Sequence, residues 1–557
     1  MDNDKKLYDK EFDLQYAYDG CDLGATCTPD RTVFKLWSPE ASGVELFLYH
    51  QDDTGPWFGH WRLEPEDRGV WTCVIERDLH GVYYDYEVTV EGNTARTADP
   101  YAAACGRNGR RSMAVDLSRT DPEGFGEDAA PPLPPENIIY ELHVKDFSHD
   151  PDSGVPEEYR GRFKAFSWRD EKGCRPLCVE HLRELGVTHV QLLPIYDFGS
   201  VDETGDHSQF NWGYDPMNYN VPEGSYSTDP ADGTVRIREC KEMIQALHEN
   251  GLRVVMDVVY NHTYSADSWL ERTAQGYYYR RWEDGSLSNG SGCGNDIAAG
   301  RAMVDNYILH SVLYWAREYH IDGFRVDLKG LLTVELMNRI QRALDAVFGA
   351  GEKLIYGEPW RAGDSPMEPD TAPAMKGNAP RLDPRIGMFC DTTRDAIKGD
   401  CFHGEQPGFV NGSVGLGETI LCAVSGWTGG VGDFKPRACS QIINYVSAHD
   451  NYTLWDKLAL CSPGHGGTVS YQDSRADLLA QNRLAAFICF TCQGNLFFQA
   501  GEEFARTKLG DHNSYKSSPE VNRLDWHRAW TFGELTGYYR QLIRLRKSLP
   551  GLCDKSP

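Results

Sequence analysis

Hydrophobic and polar positions follow two regimes along most of this chain. From about 25 to 118, apolar and polar residues alternate in short runs. Examples are Thr32-Val-Phe-Lys-Leu-Trp37, Gly43-Val-Glu-Leu-Phe-Leu-Tyr49 and Tyr83-Tyr-Asp-Tyr-Glu-Val-Thr-Val90. A period of two marks half-buried strands, and Gly, Pro and Asp punctuate them. The pattern predicts a small antiparallel β-sandwich over 25–128. Residues 1–24 show no clear period and read as an extension. Residues 129–136, Ala-Ala-Pro-Pro-Leu-Pro-Pro-Glu, form a Pro-rich, semi-rigid linker.

From 137 to 557 short apolar runs alternate with segments of helical period. The strand candidates are 138–144, 188–195, 253–260, 323–328, 354–358, 387–390, 443–448 and 496–500. Ile237, Cys240, Met243, Ile244 and Leu247 mark one helical stripe, closed by Gly251. Val334, Met337, Ile340 and Leu344 mark another, with Thr333 in N-cap position. Parallel strands joined by crossover helices close into a (β/α)8 TIM barrel, so the fold class is α/β with a preceding β-sandwich. Two long loops, 197–233 and 263–300, follow strands two and three. Loops of that length at the C-terminal end of a barrel shape the cleft.

Four of these strands end in charged residues. The segments are Asp257-Val-Val-Tyr-Asn-His262, Gly323-Phe-Arg-Val-Asp327, Tyr356-Gly-Glu358-Pro-Trp360 and Val446-Ser-Ala-His449-Asp450-Asn451. Catalytic groups of a barrel project from those ends. Any one Asp there is more often a turn or cap. Carboxylates at successive strand ends, in order, point instead to a retaining glycosidase, which needs a carboxylate nucleophile and a protonated acid. Arg325 lies two residues before Asp327, so both face the same side, and its guanidinium keeps the nucleophile ionised. Pro359 and Trp360 partly desolvate Glu358 and suit it to the acid role. Asp450 is placed to hold ring hydroxyls. His262 and His449 are placed to donate to hydroxyls near the developing charge, and Asp257 to orient Arg325.

Composition narrows the setting. The net charge of −27 over 557 residues argues against nucleic acid and anionic membranes as partners. A neutral glucan is indifferent to that field. No apolar run follows Met-Asp-Asn-Asp-Lys-Lys, and no stretch approaches the ~18 apolar residues of a membrane span. With 16 Cys and no visible leader, the expectation is a reducing, cytoplasmic location with free thiols. Cys489-Phe-Thr-Cys492 reads as a pair of buried thiols, having no second Cys pair at matching spacing. Trp37, Trp57, Trp61 and Trp71 each read as sandwich core before they read as sugar contacts.

The four charged segments resemble the four signature regions of the α-amylase family, glycoside hydrolase family 13. The resemblance implies Asp327 as nucleophile, Glu358 as acid/base and Asp450 as transition-state stabiliser. Arg325, His262 and His449 match residues lining the subsite just before the cleaved bond. Phe210-Asn-Trp-Gly-Tyr-Asp-Pro216, Tyr140-Glu-Leu-His-Val-Lys-Asp-Phe-Ser148, Gly290-Ser-Gly-Cys-Gly-Asn-Asp296 and Phe498-Gln-Ala-Gly-Glu-Glu-Phe504 are similar to segments of type I pullulanases. That likeness implies hydrolysis of α-1,6 branch linkages in pullulan, amylopectin or glycogen-derived dextrins. It implies Tyr214 as the ring-stacking platform, with further substrate contacts from Trp212, Trp360 and Asn451. The sandwich resembles a family-48 carbohydrate-binding module. Catalysis needs no cofactor on this reading. Asn261 stands where α-amylases place a structural calcium ligand.

Some positions depart from the family pattern. Phe210 replaces a Tyr, and Pro359 stands where Gly is common. Val326 and Lys329 stand where Phe and Met are common, so Lys329 is expected to put a charge near the mouth. The C-terminal β-sandwich of the family is missing from this chain, which is expected to expose an apolar barrel flank. The linkage rests on resemblance alone, because α-1,6 and α-1,4 cleavage use the same carboxylates. Isoamylase-type debranching, α-amylase activity and a truncated form that only binds glucan remain the alternatives.

Overall fold

The computed structural model describes residues 8, 10–169, 177–427, 430, 434–462 and 469–553. Its centre is a closed barrel of eight parallel strands: Ile138–Leu142, His189–Leu192, Arg253–Val258, Gly323–Val326, Leu354–Gly357, Ile386–Phe389, Ile442–Asn444 and Asn495–Gln499. All eight coincide with predicted apolar runs. The ladder closes because strand one pairs with both strand two and strand eight. Ile139, Val255, Tyr356, Phe389, Ile443 and Phe497 form one buried cluster contributed by six of these strands. Burying each such side chain contributes about 1.5–3 kcal/mol, which is why apolar residues dominate these runs.

Several strands stop before the predicted run does. Strand four ends at Val326 and strand five at Gly357. Asp327 and Glu358 are therefore the first residues beyond the ladder, free to turn into the barrel mouth. The amphipathic helices Gly233–Glu249 and Val334–Phe348 carry the predicted stripes inward. The Thr333 side chain caps the second by accepting from the Leu336 amide at 3.1 Å.

The β-sandwich has two sheets. One orders Gly24–Cys27, Thr32–Trp37, Val70–Ile75 and Glu64–Pro65; the other orders Trp57–Arg62, Ala41–Tyr49, Val82–Val90 and Asn93–Thr97, with Ser112–Ala114 paired to Val82–Val90. Trp37 and Trp71 are buried, Trp61 packs at the edge of the sandwich core, and Trp57 is exposed. The sandwich is tied to the barrel by polar contacts. Ser38 Oγ donates to the Thr273 carbonyl, and Arg236 donates to the Gly106 carbonyl at 2.8 Å.

Three segments differ from their sequence reading. Within the extension, Lys10–Tyr16 form a helix. Its Phe12 and Tyr16 pack on each other, Phe12 packs on Tyr277, and Asp13 accepts from the Ala302 amide. An order imposed by contacts some 260 residues away leaves no local period to read. The loop after strand two contains an antiparallel hairpin, Tyr196–Phe198 with Pro216–Pro222. Its Asn, Asp and Gly content concealed the strand. The Pro-rich linker is strapped to the barrel base: Asp128 bonds both His248 and His320, the Pro131 carbonyl accepts from Arg253, and Glu136 pairs with Arg546.

Cys489 and Cys492 are both buried, as expected of structural thiols. The helix Ala476–Thr491 leaves Leu484 and Phe487 exposed on its outer face. No helix among the described residues is long and apolar enough to cross a membrane.

Candidate active site

Strands four and five approach closely at the mouth. A Cβ at Gly357 would lie 2.2 Å from the Val326 carbonyl oxygen, so glycine is what permits the approach. The Glu358 amide then donates to that same carbonyl at 3.2 Å. After Asp327 the chain turns through Leu328 with φ +37°, and the Leu328 amide donates to Glu358 Oε2 at 3.0 Å. Two carboxylates from neighbouring strands are thus fixed at one end of the barrel.

Arg325 organises them. Its Nη1 bonds Asp327 at 2.8 Å and Asp257 at 3.1 Å, and its Nη2 pairs with Glu358 at 2.7 Å. Burial alone would lower its pKa; Asp257, Glu358, Tyr214 and Asp327 around it keep the guanidinium charged. Asp327 also accepts from Asn261 Nδ2 at 2.8 Å. For Glu358, burial outweighs Arg325, and Asp327 and Asp450 add to it, so its pKa is pushed up to about 8. A buried carboxyl that keeps its proton at neutral pH thus sits one guanidinium away from Asp327.

The next strands add a cation and an aromatic face. Burial would lower the His449 pKa, but Glu141, bonded to Nδ1 at 2.8 Å, and then Asp450 raise it to about 9. Tyr214 stacks on His449 with centroids 4.8 Å apart, and its hydroxyl donates to Asp257 at 2.7 Å. Asp450 is 55% exposed, with its carboxylate 3.7 Å from His449 Nε2. It is the open acidic group of the set, available to a ligand's hydroxyls.

Below them lies a polar layer of which sequence reasoning found Asp257 but not Glu141, Gln191 or Tyr356. Glu141 and Asp257 both accept from Gln191 Nε2, and the Tyr356 hydroxyl donates to Gln191 Oε1 at 2.5 Å. Each sits in a largely apolar strand. A lone polar residue in such a run was the available signal.

A cavity of about 540 Å³ opens over this centre, bordered by Trp212, Tyr214, His262, Asp327, Glu358 and Trp360 among others. That volume fits a small-ligand cleft. Asn451, in a left-handed turn at φ +63°, borders an adjoining cavity with Trp360, His449 and Asp450. Trp212 is largely buried against His449, at 4.9 Å between centroids. The structure therefore brings every predicted site residue to one place.

Two expectations need correction, and His262 gains protein partners that the sequence did not show. His262 borders the cavity, but its Nδ1 lies 2.6 Å from Asn261 Oδ1 and its Nε2 2.8 Å from the Tyr214 carbonyl. Both nitrogens lie within hydrogen-bond distance of protein oxygens, which fixes the ring at the cavity wall, and burial lowers its pKa. Lys329 puts no charge at the mouth. It is fully buried, donates to the Ala374 carbonyl at 2.9 Å, and burial lowers its pKa to about 7. Asn261 does not fit a calcium ligand either, because its amide nitrogen serves Asp327 and its oxygen serves His262.

Oxygen ligands for a hard cation do converge elsewhere. Carboxylate atoms of Asp197, Glu203 and Glu223 lie within 4.8 Å of one another. Arg236 pairs with Asp197 at 3.1 Å and Glu203 at 2.5 Å. One guanidinium faces three buried carboxyl groups, and burial raises the pKa of each. Glu203 Oε1 is buried without a hydrogen-bond partner, and burial pushes the Glu203 pKa up to about 7.

Comparison with known proteins places this geometry. A family model described as "Carbohydrate-binding module 48 (Isoamylase N-terminal domain)" matches residues 22–102, and one described as "Alpha amylase, catalytic domain" matches 178–284. The chain is 39% identical over 552 residues to a pullulanase of Bacillus subtilis (strain 168), covering 98% of this chain and 74% of that protein. It belongs to the pullulanase family. Pullulanase 1, chloroplastic, of Arabidopsis thaliana is 33% identical, over 92% of this chain and 61% of its own length. The crystal structure of a pullulanase from Paenibacillus barengoltzii in complex with maltohexaose and alpha-cyclodextrin superposes with a TM-score of 0.92 at 43% identity. It covers 98% of this chain and 83% of that one. This chain is accordingly a glycoside hydrolase of the pullulanase type, a TIM barrel behind an N-terminal family-48 module.

Proposed function

We propose that this pullulanase hydrolyses α-1,6-glucosidic branch linkages in pullulan, amylopectin or glycogen-derived dextrins with retention of configuration. The observation that carries the reading is Arg325, which holds Asp327 and Glu358 by separate nitrogens. A single guanidinium spans the gap, which favours the short carboxylate separation of about 5–5.5 Å used by retaining enzymes. Asp327 attacks the anomeric carbon as Glu358 protonates the departing O6, and a glycosyl ester forms. Glu358 then takes a proton from water, which breaks that ester and releases an α-configured product. Asp450 accepts from ring hydroxyls and favours the distorted ring. The His449 imidazolium, Tyr214 and Trp360 hold the sugar, and Arg325 orients Asp327.

Incubation with pullulan followed by product chromatography tests the linkage. Maltotriose is expected; panose-like products would assign α-1,4 attack instead.

No cofactor enters the chemistry on this reading. The residues that fit a structural calcium ion are Asp197, Glu203 and Glu223, where such an ion would balance buried charge at the contact between the strand-two hairpin and the helix Gly233–Glu249. Added calcium is then expected to raise the thermal midpoint of the native chain but not that of Glu203→Gln, with kcat on pullulan unchanged. A midpoint that ignores calcium assigns the charge balance to Arg236 alone.

The partner is a branched glucan, while the charge of −27 disfavours nucleic acid and anionic membranes. Free thiols at the described cysteines support a reducing, cytoplasmic setting.

A further inference from the structure

Glu141 lies near the end of strand one, and its carboxylate reaches inside the barrel. The residue is only 2% exposed. Its Oε1 lies 2.8 Å from His449 Nδ1 and accepts from Gln191 at 3.4 Å, while its Oε2 is buried without a hydrogen-bond partner. Stability does not explain a carboxylate here. Interior layers of a barrel are filled by branched apolar side chains, and burying a carboxylate costs free energy that one pairing recovers only in part.

The ring that Glu141 meets is already held in place. Tyr214 stacks on it at 4.8 Å, Trp212 meets it edge-on at 4.9 Å, and Lys508 donates to the His449 carbonyl at 3.2 Å. None of these contacts decides which ring nitrogen carries a proton. The Tyr214 hydroxyl lies 3.4 Å from Nδ1, but it donates to Asp257 at 2.7 Å. Glu141 decides, because a carboxylate accepts only, so Nδ1 beside it must donate. On the far side of the ring, Nε2 faces the Asp450 carboxylate at 3.7 Å, beyond hydrogen-bond reach. Only the imidazolium donates from both nitrogens. Burial opposes that charge, Glu141 and then Asp450 favour it, and Arg325 opposes it; Asp257 is a further acid facing the ring.

We propose that Glu141 is a positioning residue of the hydrolysis, which fixes the His449 ring so that Nε2 presents its proton to a sugar hydroxyl. The proposal rests on the role given above to His449 in holding the sugar. Glu141 touches no sugar itself. It acts through a ring that borders both cavities at the barrel mouth.

Glu141→Gln, His449→Ala and the double variant are compared with the unaltered chain on pullulan and on α-maltotriosyl fluoride across pH. Glu141→Gln keeps the shape of the side chain and removes its charge. It is expected to lower kcat/KM on pullulan about ten- to hundredfold at neutral pH. The falling limb of its pH profile is expected about one unit or more below that of the unaltered chain, because His449 then loses its proton earlier. In the His449→Ala background the same substitution is expected to cost little more, since its effect passes through the ring. Unchanged kinetics in Glu141→Gln overturn the proposal. So does an unmoved limb, or a double variant in which the two losses simply add, which marks Glu141 as structural. Should Glu141→Gln not fold, Glu141→Asp, whose carboxylate falls one methylene short of Nδ1, enters the same cycle, and its coupling to His449→Ala decides. If His449→Ala alone costs nothing, the sugar-holding role of His449 fails and takes Glu141 with it. If the unaltered chain hydrolyses the fluoride but not pullulan, the linkage assignment alone fails, and the cycle is read on the fluoride.

Discussion

Asp327→Asn lowers kcat on pullulan by about 10⁴-fold or more while leaving the thermal midpoint nearly unchanged. The amide keeps the shape of the carboxylate, and its oxygen still accepts from Arg325, which bonds Asp327 at 2.8 Å in the native chain. What it loses is the negative charge, and a neutral amide oxygen does not form the glycosyl ester. Initial rates of reducing-sugar release, read beside thermal unfolding, separate the two effects. Turnover near the native rate would remove Asp327 as nucleophile, and an unfolded variant would recast it as a structural anion for Arg325.

Glu358→Gln has the second large effect, and it splits by substrate. Pullulan turnover falls about 10²- to 10⁴-fold, because O6 now leaves without a proton. α-Maltotriosyl fluoride needs no acid, so its first step survives. The ester on Asp327 then accumulates, since no base activates water. One equivalent of fluoride in a burst, with the matching mass increase on the intact protein, is the expected signature. Slow fluoride release without a burst would count against Glu358 as the acid/base.

The pH profile follows from the same proton. Glu358 is protonated below about 8, so the native pullulan rate falls as pH rises through that value. His449, raised to about 9, keeps its charge over most of that range. Stability carries the same sign. The unfolded carboxyl loses its proton near 4.5 and the folded one near 8. The native state thus holds one more proton between those values, and stability falls with rising pH across the window. Glu358→Gln removes the share of this slope that Glu358 contributes.

Several structural features follow directly from residue order. The barrel strands are apolar runs buried on both faces, and a period or its absence is a local property that a sequence displays. The catalytic carboxylates were legible because barrel strands end where apolar residues stop. Arg325 was legible because two residues along a strand return to the same face.

Other features are long-range and left no local trace. The helix Lys10–Tyr16 exists through Tyr277, and the linker is ordered by His248 and Arg253. Lys329 looked like a charge at the mouth because sequence distance from Asp327 says nothing about which way the chain turns. Leu328 turns it inward, to the Ala374 carbonyl. Asn261 has the right chemistry for a cation, but its hydrogen bonds commit it to Asp327 and His262. The sequence by itself determined the barrel, the order of its charged strand ends and the family. Only the tertiary structure decided which of those groups remain free to meet substrate, because hydrogen-bond saturation depends on neighbours distant in the chain.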